Sequence, residues 1–394
     1  MRLRPGLVGT YQKDAAIFGS GVQRIAVGVL LLSALYLGFG GSIWFLRFEG
    51  EMMILAVTAL FASIGAIGLN IVTGYAGQIS LGHAFFLGIG AFTAALLGGV
   101  EETREVLDIA SGTMVTRTIL QGFGLDMIIW LPAAGLVAAF FGLIVAPVAT
   151  RLRGLYLAFV TLGLVFVGEH VFREAKTITG GVGVGRPTAQ ATLFGFSFDE
   201  EGEVLGIFLD SRQRYYFLGL ALLIVLGLTA KNMARSRIGR ALAAVRDRDI
   251  AAEIMGIPLA RYKTIAFVVS SFYAGVAGAL LYNVIGQVQP ESFNLLLSIE
   301  YIAMVLIGGI ATISGSIMGA VFIVFLPRIV EEVAGLPLFG WISTSPSGGF
   351  MTVAQVEQIL FGLFIIGFLI IEPLGLYGIW IRVRNYWKAF PFSY

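Results

Sequence analysis

The chain has 394 residues, of which 57% are hydrophobic and 13% charged, and carries a formal net charge of +2. Soluble domains carry about 25% charged residues, so this composition and a mean hydropathy of +0.89 exclude a soluble domain, and the small net charge gives no footing for nucleic acid. No cysteine is present, which excludes disulfides, thiolate metal sites and cysteine nucleophiles.

Residues 1–24, with Arg2, Arg4, Lys13 and Arg24, form a polar N-terminal segment. It is too long and polar for a usual signal peptide, and no small-x-small cleavage site follows, so the first span is expected to be retained. Apolar runs follow at 25–46, 52–72, 81–100, 127–149 and 155–172, each close to the length of about 20 residues that crosses a hydrocarbon core. After a polar segment at 173–214 come runs at 215–230, 264–284, 295–310, 317–330 and 353–371. The expected fold is all-α, a polytopic transmembrane helical bundle of about eight to ten spans. Residues 25–372 would form the transmembrane domain and 373–394 a cytoplasmic tail. The run at 295–310 is short and 317–330 holds Pro327 and Arg328, so either is a candidate for a broken or re-entrant helix.

Placing the N-terminal cations inside also puts inside the turn at 73–80, Arg151 and Arg153, the loop at 231–263, and Arg382, Arg384 and Lys388. Every basic cluster then obeys the positive-inside rule, and both termini are expected in the cytoplasm. The acidic groups Glu101, Glu102, Glu105 and Asp108, and Asp199, Glu200, Glu201 and Glu203, fall outside, as does the loop at 173–214.

The loop at 231–263 is a long basic passage between two apolar runs. It carries Lys231, Arg235, Arg237, Arg240, Arg246, Arg248, Arg261 and Lys263 against Asp247, Asp249 and Glu253. Each such charge costs roughly 2.5–3.5 kcal/mol at the centre of a membrane helix, so the loop lies in water. Its punctuation predicts a short helix over 250–255, with Asp249 as N-cap, Gly256 as left-handed stop and Pro258 beyond. Ile250 and Ile254 share one face with Met255 close by, more apolar surface than a solvated loop requires. Docking of a partner would explain it; a purely topogenic loop is the plainer alternative.

Two glycine-rich bends sit between apolar runs, at 74–82 and 308–315, and both fall on the cytoplasmic side. They read either as a faint internal repeat or as two tight turns that each use glycine. Around the first, Asn70, Gln78, Ser80 and His83 offer hydrogen bonds in an apolar setting, while Gly74, Gly77 and Gly82 permit a broken backbone. Gly88 and Gly90 allow a neighbouring helix to approach. Packing and helix-to-helix hydrogen bonding account for any one of these residues; the cluster points to a translocation route.

Other chemistry has little material. None of the lysines, Lys13, Lys176, Lys231, Lys263 and Lys388, follows a glycine, so no P-loop is present. The run Gly180-Gly-Val-Gly-Val-Gly185 lacks a preceding strand, and Arg186 stands where a dinucleotide fingerprint has its third glycine; it reads as a loop at a pore mouth. Only His83 and His170 are available for a metal site or a histidine-based triad. Glu169 and Glu300 are ionisable groups near membrane depth, and Glu169 is spaced to pair with Arg173 one turn on.

The stretch Asp249-Ile-Ala-Ala-Glu-Ile-Met-Gly256 resembles the cytoplasmic "EAA...G" loop of bacterial ABC importer permeases. Gly239-Arg-Ala-Leu-Ala-Ala-Val-Arg-Asp247 with Ala251, Ala252, Gly256 and 263–267 is similar to the LivM branch of the branched-chain amino acid permeases. So are the "GYAG...SLGH...GIGA" stretch at 74–91, the "TGG" at Thr179, Gly180 and Gly181, and a "GGxGTxxGPxxGA" pattern at 308–320, with Ala311 and Ser316 as departures. The acidic residue that often follows the "TGG" is absent.

The resemblance implies a membrane permease subunit, not an enzyme, in a bacterial plasma (inner) membrane. Arg240, Asp249, Ala251, Ala252, Glu253 and Gly256 would couple it to the ATPase. Asn70, Gly74, Gly77, Gln78, Ser80 and His83 would line the path, and Thr179, Gly180 and Gly181 would shape its mouth. The implied partners are a LivH-like second permease, two LivG/LivF-like ATPase subunits that use ATP and Mg, and an extracytoplasmic solute-binding protein; this chain would bind no cofactor itself. The implied substrates are branched-chain or other small hydrophobic amino acids, while similar permeases serve urea, short amides and small carboxylates. An ion-coupled secondary transporter using Glu169 and Glu300 is the alternative of a different class. The segments near 101–126 and 331–350 have no counterpart in this reading.

Overall fold

A computed structural model describes residues 21–40, 42–43, 46–47, 50–107, 114–152, 154–204, 206–334, 342–343, 351–372 and 374–389. Arg2, Arg4, Lys13, Asp108, Arg153 and most of the segment at 335–350 lie outside them. The ten apolar runs each become a helix, as continuous apolar sequence must where no water satisfies the backbone.

In chain order the first helices are α1 (Gly21–Gly38), α2 (Glu51–Asn70) and α3 (His83–Gly98), then α4 (Met127–Arg151) and α5 (Leu155–Glu174). A four-residue turn, α6 (Lys176–Thr179), leads to α7 (Ser211–Arg235). The polar loop folds as α8 (Arg237–Asp247) and α9 (Asp249–Ile254), and α10 (Leu259–Ile285) returns through the bundle. The last four are α11 (Leu295–Gly308), α12 (Ile313–Ala334), α13 (Val353–Ile371) and α14 (Gly375–Ala389). Among the described residues six helices are long and apolar enough to cross a membrane: α2 with its π-helical extension, α4, α5, α7, α10 and the first 20 residues of α12.

The helices α2 and α10 form the centre, each with 72% of its most apolar window buried. α10 packs against α2, α3 and α4, and small residues set how closely. A Cβ on Gly90 of α3 would lie 2.1 Å from the carbonyl oxygen of Gly275 on α10, so the two backbones touch along this seam. The outer faces of α4 and α5 expose Leu136, Phe140, Leu143, Phe159, Phe166 and Val167. Apolar exposed faces are what a bilayer or a second membrane subunit demands.

Two expectations change. The run at 317–330 is no broken span: Pro327 sits inside the continuous helix α12, and the break falls before it, at 309–312. The run at 81–100 gives a shorter helix than expected, since α3 starts only at His83 and ends at Gly98. With 16 and 14 residues, α3 and α11 span about 24 and 21 Å, against a core of about 30 Å. The ends of the polar loop at 231–263 also belong to α7 and α10, and Lys263 is buried.

The segment at 101–126 forms an antiparallel hairpin, Glu102–Leu107 with Met114–Leu120. Short antiparallel pairs at Thr192–Leu193 with Phe196–Ser197 and Gly202–Val204 with Ile207–Leu209 cover the end of the bundle opposite α8 and α9.

Candidate functional site

The first glycine-rich bend begins where α2 gives out. Its last turn widens to a π-helix, Ile71–Tyr75, and the N–H of Ala76 reaches back to the carbonyl of Ile71 at 3.2 Å. Such π-turns recur at functional sites because they loosen the helical ladder. Gly77 then takes φ +68, a left-handed conformation open to glycine at little cost, and the chain reverses. Residues 77–82 belong to no helix or strand and alternate in burial: Gln78, Ser80 and Gly82 are buried, while Gly77 and Ile79 are exposed.

This non-helical run passes α5 and leads into α3. Thr161 of α5 accepts the Leu81 N–H at 2.9 Å and donates to backbone carbonyls of its own helix. Ser80 accepts the Gly82 N–H, and Ser298 of α11 accepts the Ala84 N–H at 3.0 Å, capping an N-terminus that lies inside the bundle. The His83 ring packs against Tyr301 of α11, centroids 4.8 Å apart, and Tyr301 lies against Gly65 in the middle of α2. The His83 Nε2, the Tyr301 hydroxyl and both amide atoms of Gln78 are buried with no hydrogen-bond partner among the described residues. An unpaired buried polar group costs about 1–3 kcal/mol, so each of these atoms in an apolar bundle calls for a reason.

Asn70 has a different place from the rest of the path set. Its amide nitrogen donates to the Thr312 carbonyl at 2.9 Å and to the Ser316 hydroxyl at 2.7 Å. Its side-chain carbonyl accepts the Ala311 N–H at 2.8 Å. Asn70 thus fastens the first bend to the second, and Gly74 lies beneath this junction, where a Cβ would sit 1.9 Å from the Asn70 oxygen. Ser316, which departs from the family pattern, supplies one of these bonds.

The polar loop forms the knob its punctuation predicts, one residue early. α9 starts at Asp249, Arg248 occupies the N-cap position, and Asp249 accepts the neighbouring Ile250 N–H instead of capping. Gly256 is left-handed at φ +81. The Gly256 N–H bonds to the Glu253 carbonyl and the Ile257 N–H to the Ala252 carbonyl, the two bonds of a Schellman stop. Ala252 is buried beneath the knob, while Ala251, Glu253 and Gly256 face outward. Ile250, Ile254 and Met255 are 61, 82 and 83% exposed. Arg240 is exposed on α8 and returns one bond to the Arg235 carbonyl.

At the opposite end, Thr179 is buried and accepts the Gly181 N–H. The loop beyond Gly180 closes through the Gly185 N–H to the Gly181 carbonyl, and Glu291 accepts the Gly183 N–H at 3.1 Å. Arg186 holds this loop in place. Its side chain, 1% exposed, donates to the carbonyls of Ala95 at 2.6 Å, Ile178 at 2.6 Å and Gln121 at 2.8 Å.

The path and coupling sets meet through a residue that neither included: Arg246 of α8 donates to the Gly74 carbonyl at 3.2 Å. Thr161, Ser298, Tyr301 and Arg186 were likewise outside the candidate sets; a threonine or tyrosine in an apolar run, and an arginine after a glycine run, carry no pattern of their own. Glu169 does pair with Arg173, four residues on.

The chain matches, over residues 51–371, the family model described as branched-chain amino acid transport system / permease component. It is 32% identical over 354 residues to the high-affinity branched-chain amino acid transport system permease protein LivM of Salmonella typhimurium, covering 86% of this chain and 75% of that protein. The LivM of Escherichia coli matches with the same identity and coverage. BraD of Pseudomonas aeruginosa, named as a permease protein of the same kind of system, is 26% identical over 82% of this chain and 93% of its own length. No solved structure matches the chain. The apolar helices, the two glycine-rich bends and this similarity across most of the length agree, and the chain belongs to the permease family of branched-chain amino acid transport systems.

Proposed function

We propose that the chain is one permease subunit of a binding-protein-dependent ABC importer for branched-chain or other small hydrophobic amino acids. The observation that carries this reading is the knob α9. A two-turn helix with a left-handed glycine stop and three exposed apolar side chains is a surface that gains by burial against a partner. In an importer that partner is an ATPase subunit, which brings the ATP and Mg that this chain has no motif to hold.

The remaining assembly follows: a LivH-like second permease against the apolar outer faces, two LivG/LivF-like ATPases at the knob end, and a solute-binding protein at the hairpin end. The knob end and both termini are then cytoplasmic. Closure of the ATPases on ATP displaces the knobs, and the path opens to each side in turn, a population shift between two arrangements. Gln78, Ser80, His83 and Tyr301 supply neutral hydrogen-bonding groups in an otherwise apolar route, which suits a small zwitterion with an apolar side chain. Urea, short amides and small carboxylates fit the same machinery.

The test is co-purification from the native host of the tagged wild type and of Gly256→Arg, each checked for membrane insertion. A P-loop ATPase pair with the wild type, absent from the inserted variant, supports the reading. Absence of any ATPase from an intact wild-type preparation overturns it and favours an ion-coupled transporter.

A further inference from the structure

At the base of the knob, Arg246 makes a contact that neither docking nor substrate binding requires. It lies on α8, two residues before Arg248, which occupies the N-cap position of α9. Its guanidinium donates to the Gly74 carbonyl at 3.2 Å and to Asp247 at 3.0 Å. Its stem lies over the reversal itself: a Cβ on Gly77 would come within 2.7 Å of the Arg246 Cγ.

Three features make this contact a mechanical link. The Gly74 carbonyl belongs to the π-turn that ends α2, where carbonyls lose their helical partners and a cation is favoured. The bend it grips leads directly into 77–82, whose buried residues Gln78 and Ser80 precede the half-helix start at His83. And α8 packs both on the knob helix α9 and on the π-turn, so displacement of the knob bears on Arg246.

We infer that Arg246 is a positioning residue, a strut that passes displacement of the ATPase-docking knob to the bend and the non-helical run at 77–82. The inference rests on the importer reading. It assigns transmission to one named contact between the polar loop and the path. Without the strut, the knob can still dock and ATP can still turn over, but the path segment is no longer driven.

The test uses the complete importer reconstituted in proteoliposomes with its solute-binding protein, following radiolabelled leucine uptake and ATP hydrolysis in the same preparation. Arg246→Ala is expected to assemble, keep ATP turnover, and lower leucine taken up per ATP by about tenfold, within the usual range of coupling effects. Arg246→Lys, which keeps a donor for the Gly74 carbonyl, is expected to restore part of the ratio. A ratio equal to wild type, a parallel loss of both activities, or a loss of thermal stability at unchanged ratio would each overturn the strut and leave Arg246 a helix cap. If Arg246→Ala does not assemble, Asp247→Asn frees the guanidinium from its carboxylate and is expected to lower the ratio in the same direction; no change overturns the inference. A wild type that turns over no ATP takes the importer reading down with it, whereas a coupled wild type and an equally coupled Arg246→Ala sink the strut alone.

Discussion

The side-chain carbonyl of Asn70 accepts the backbone N–H of Ala311 at 2.8 Å, 241 residues along the chain. With the bonds to Thr312 and Ser316, it makes one side chain the fastening between the two glycine-rich bends. Replacing Asn70 by Ala leaves the part-buried Ala311 N–H without its partner, while the Thr312 carbonyl keeps the Ser316 N–H, a loss of about 1–3 kcal/mol. The expected outcome is a lower melting temperature in detergent together with lost uptake; an unchanged melting temperature would show the junction to be dispensable.

Ala311 is held at φ +58, where the family pattern has glycine. A left-handed Ala costs roughly 1–2 kcal/mol, partly offset by the greater entropy an unfolded glycine has to lose. Ala311→Gly is therefore expected to raise stability by about 0.5–1 kcal/mol, read as a higher melting temperature with the Asn70 bonds kept.

The exposed side chains of the knob touch little in this chain, so polar replacement there should spare folding. Burial of an Ile side chain is worth about 1.5–3 kcal/mol. Ile254→Asp is expected to weaken ATPase capture by one to two orders of magnitude, at that exchange rate, with membrane insertion and melting unchanged. Full retention of the ATPase by this variant would move the docking surface elsewhere.

Arg186 ties the loop at 180–187 to the end of α3. Arg186→Met keeps much of the stem and removes the donor from three carbonyls, of which that of Ala95 keeps the Gly99 N–H. Protease added from the hairpin end is expected to cut the loop in the variant faster than in wild type. Equal cutting rates would show that other contacts hold it.

Glu169 is spent on Arg173, a partly exposed pair worth at most about 1 kcal/mol. The double variant Glu169→Gln, Glu300→Gln is expected to keep most uptake. Abolished uptake with normal assembly would favour ion coupling over ATP.

The runs of apolar residues announced nearly every helix, and Gly256 with Pro258 announced the knob, because these signals are local. The junctions were not legible. Nothing near Asn70 names Ala311 as its partner, and Arg246 reads as one more cation in a basic loop until the fold brings it against Gly74, 172 residues away. The start of α3 two residues late escaped for a related reason: Leu81 begins the apolar run, and only the fold brings its N–H to the Thr161 hydroxyl instead of into a helix. Pro327 misled in the other direction, since a membrane helix can continue through a proline where its surroundings satisfy the freed backbone groups.

The backbone seam between Gly90 and Gly275 bears on motion. α10 leaves directly from the knob and, at 27 residues, reaches about 40 Å to the hairpin end. Because α3 is pressed against it carbonyl to Cα, the two cannot slide past each other without a clash; they tilt as one beam. Any displacement of α10 at the knob end is therefore carried by α3 as well, over the whole length of their shared seam.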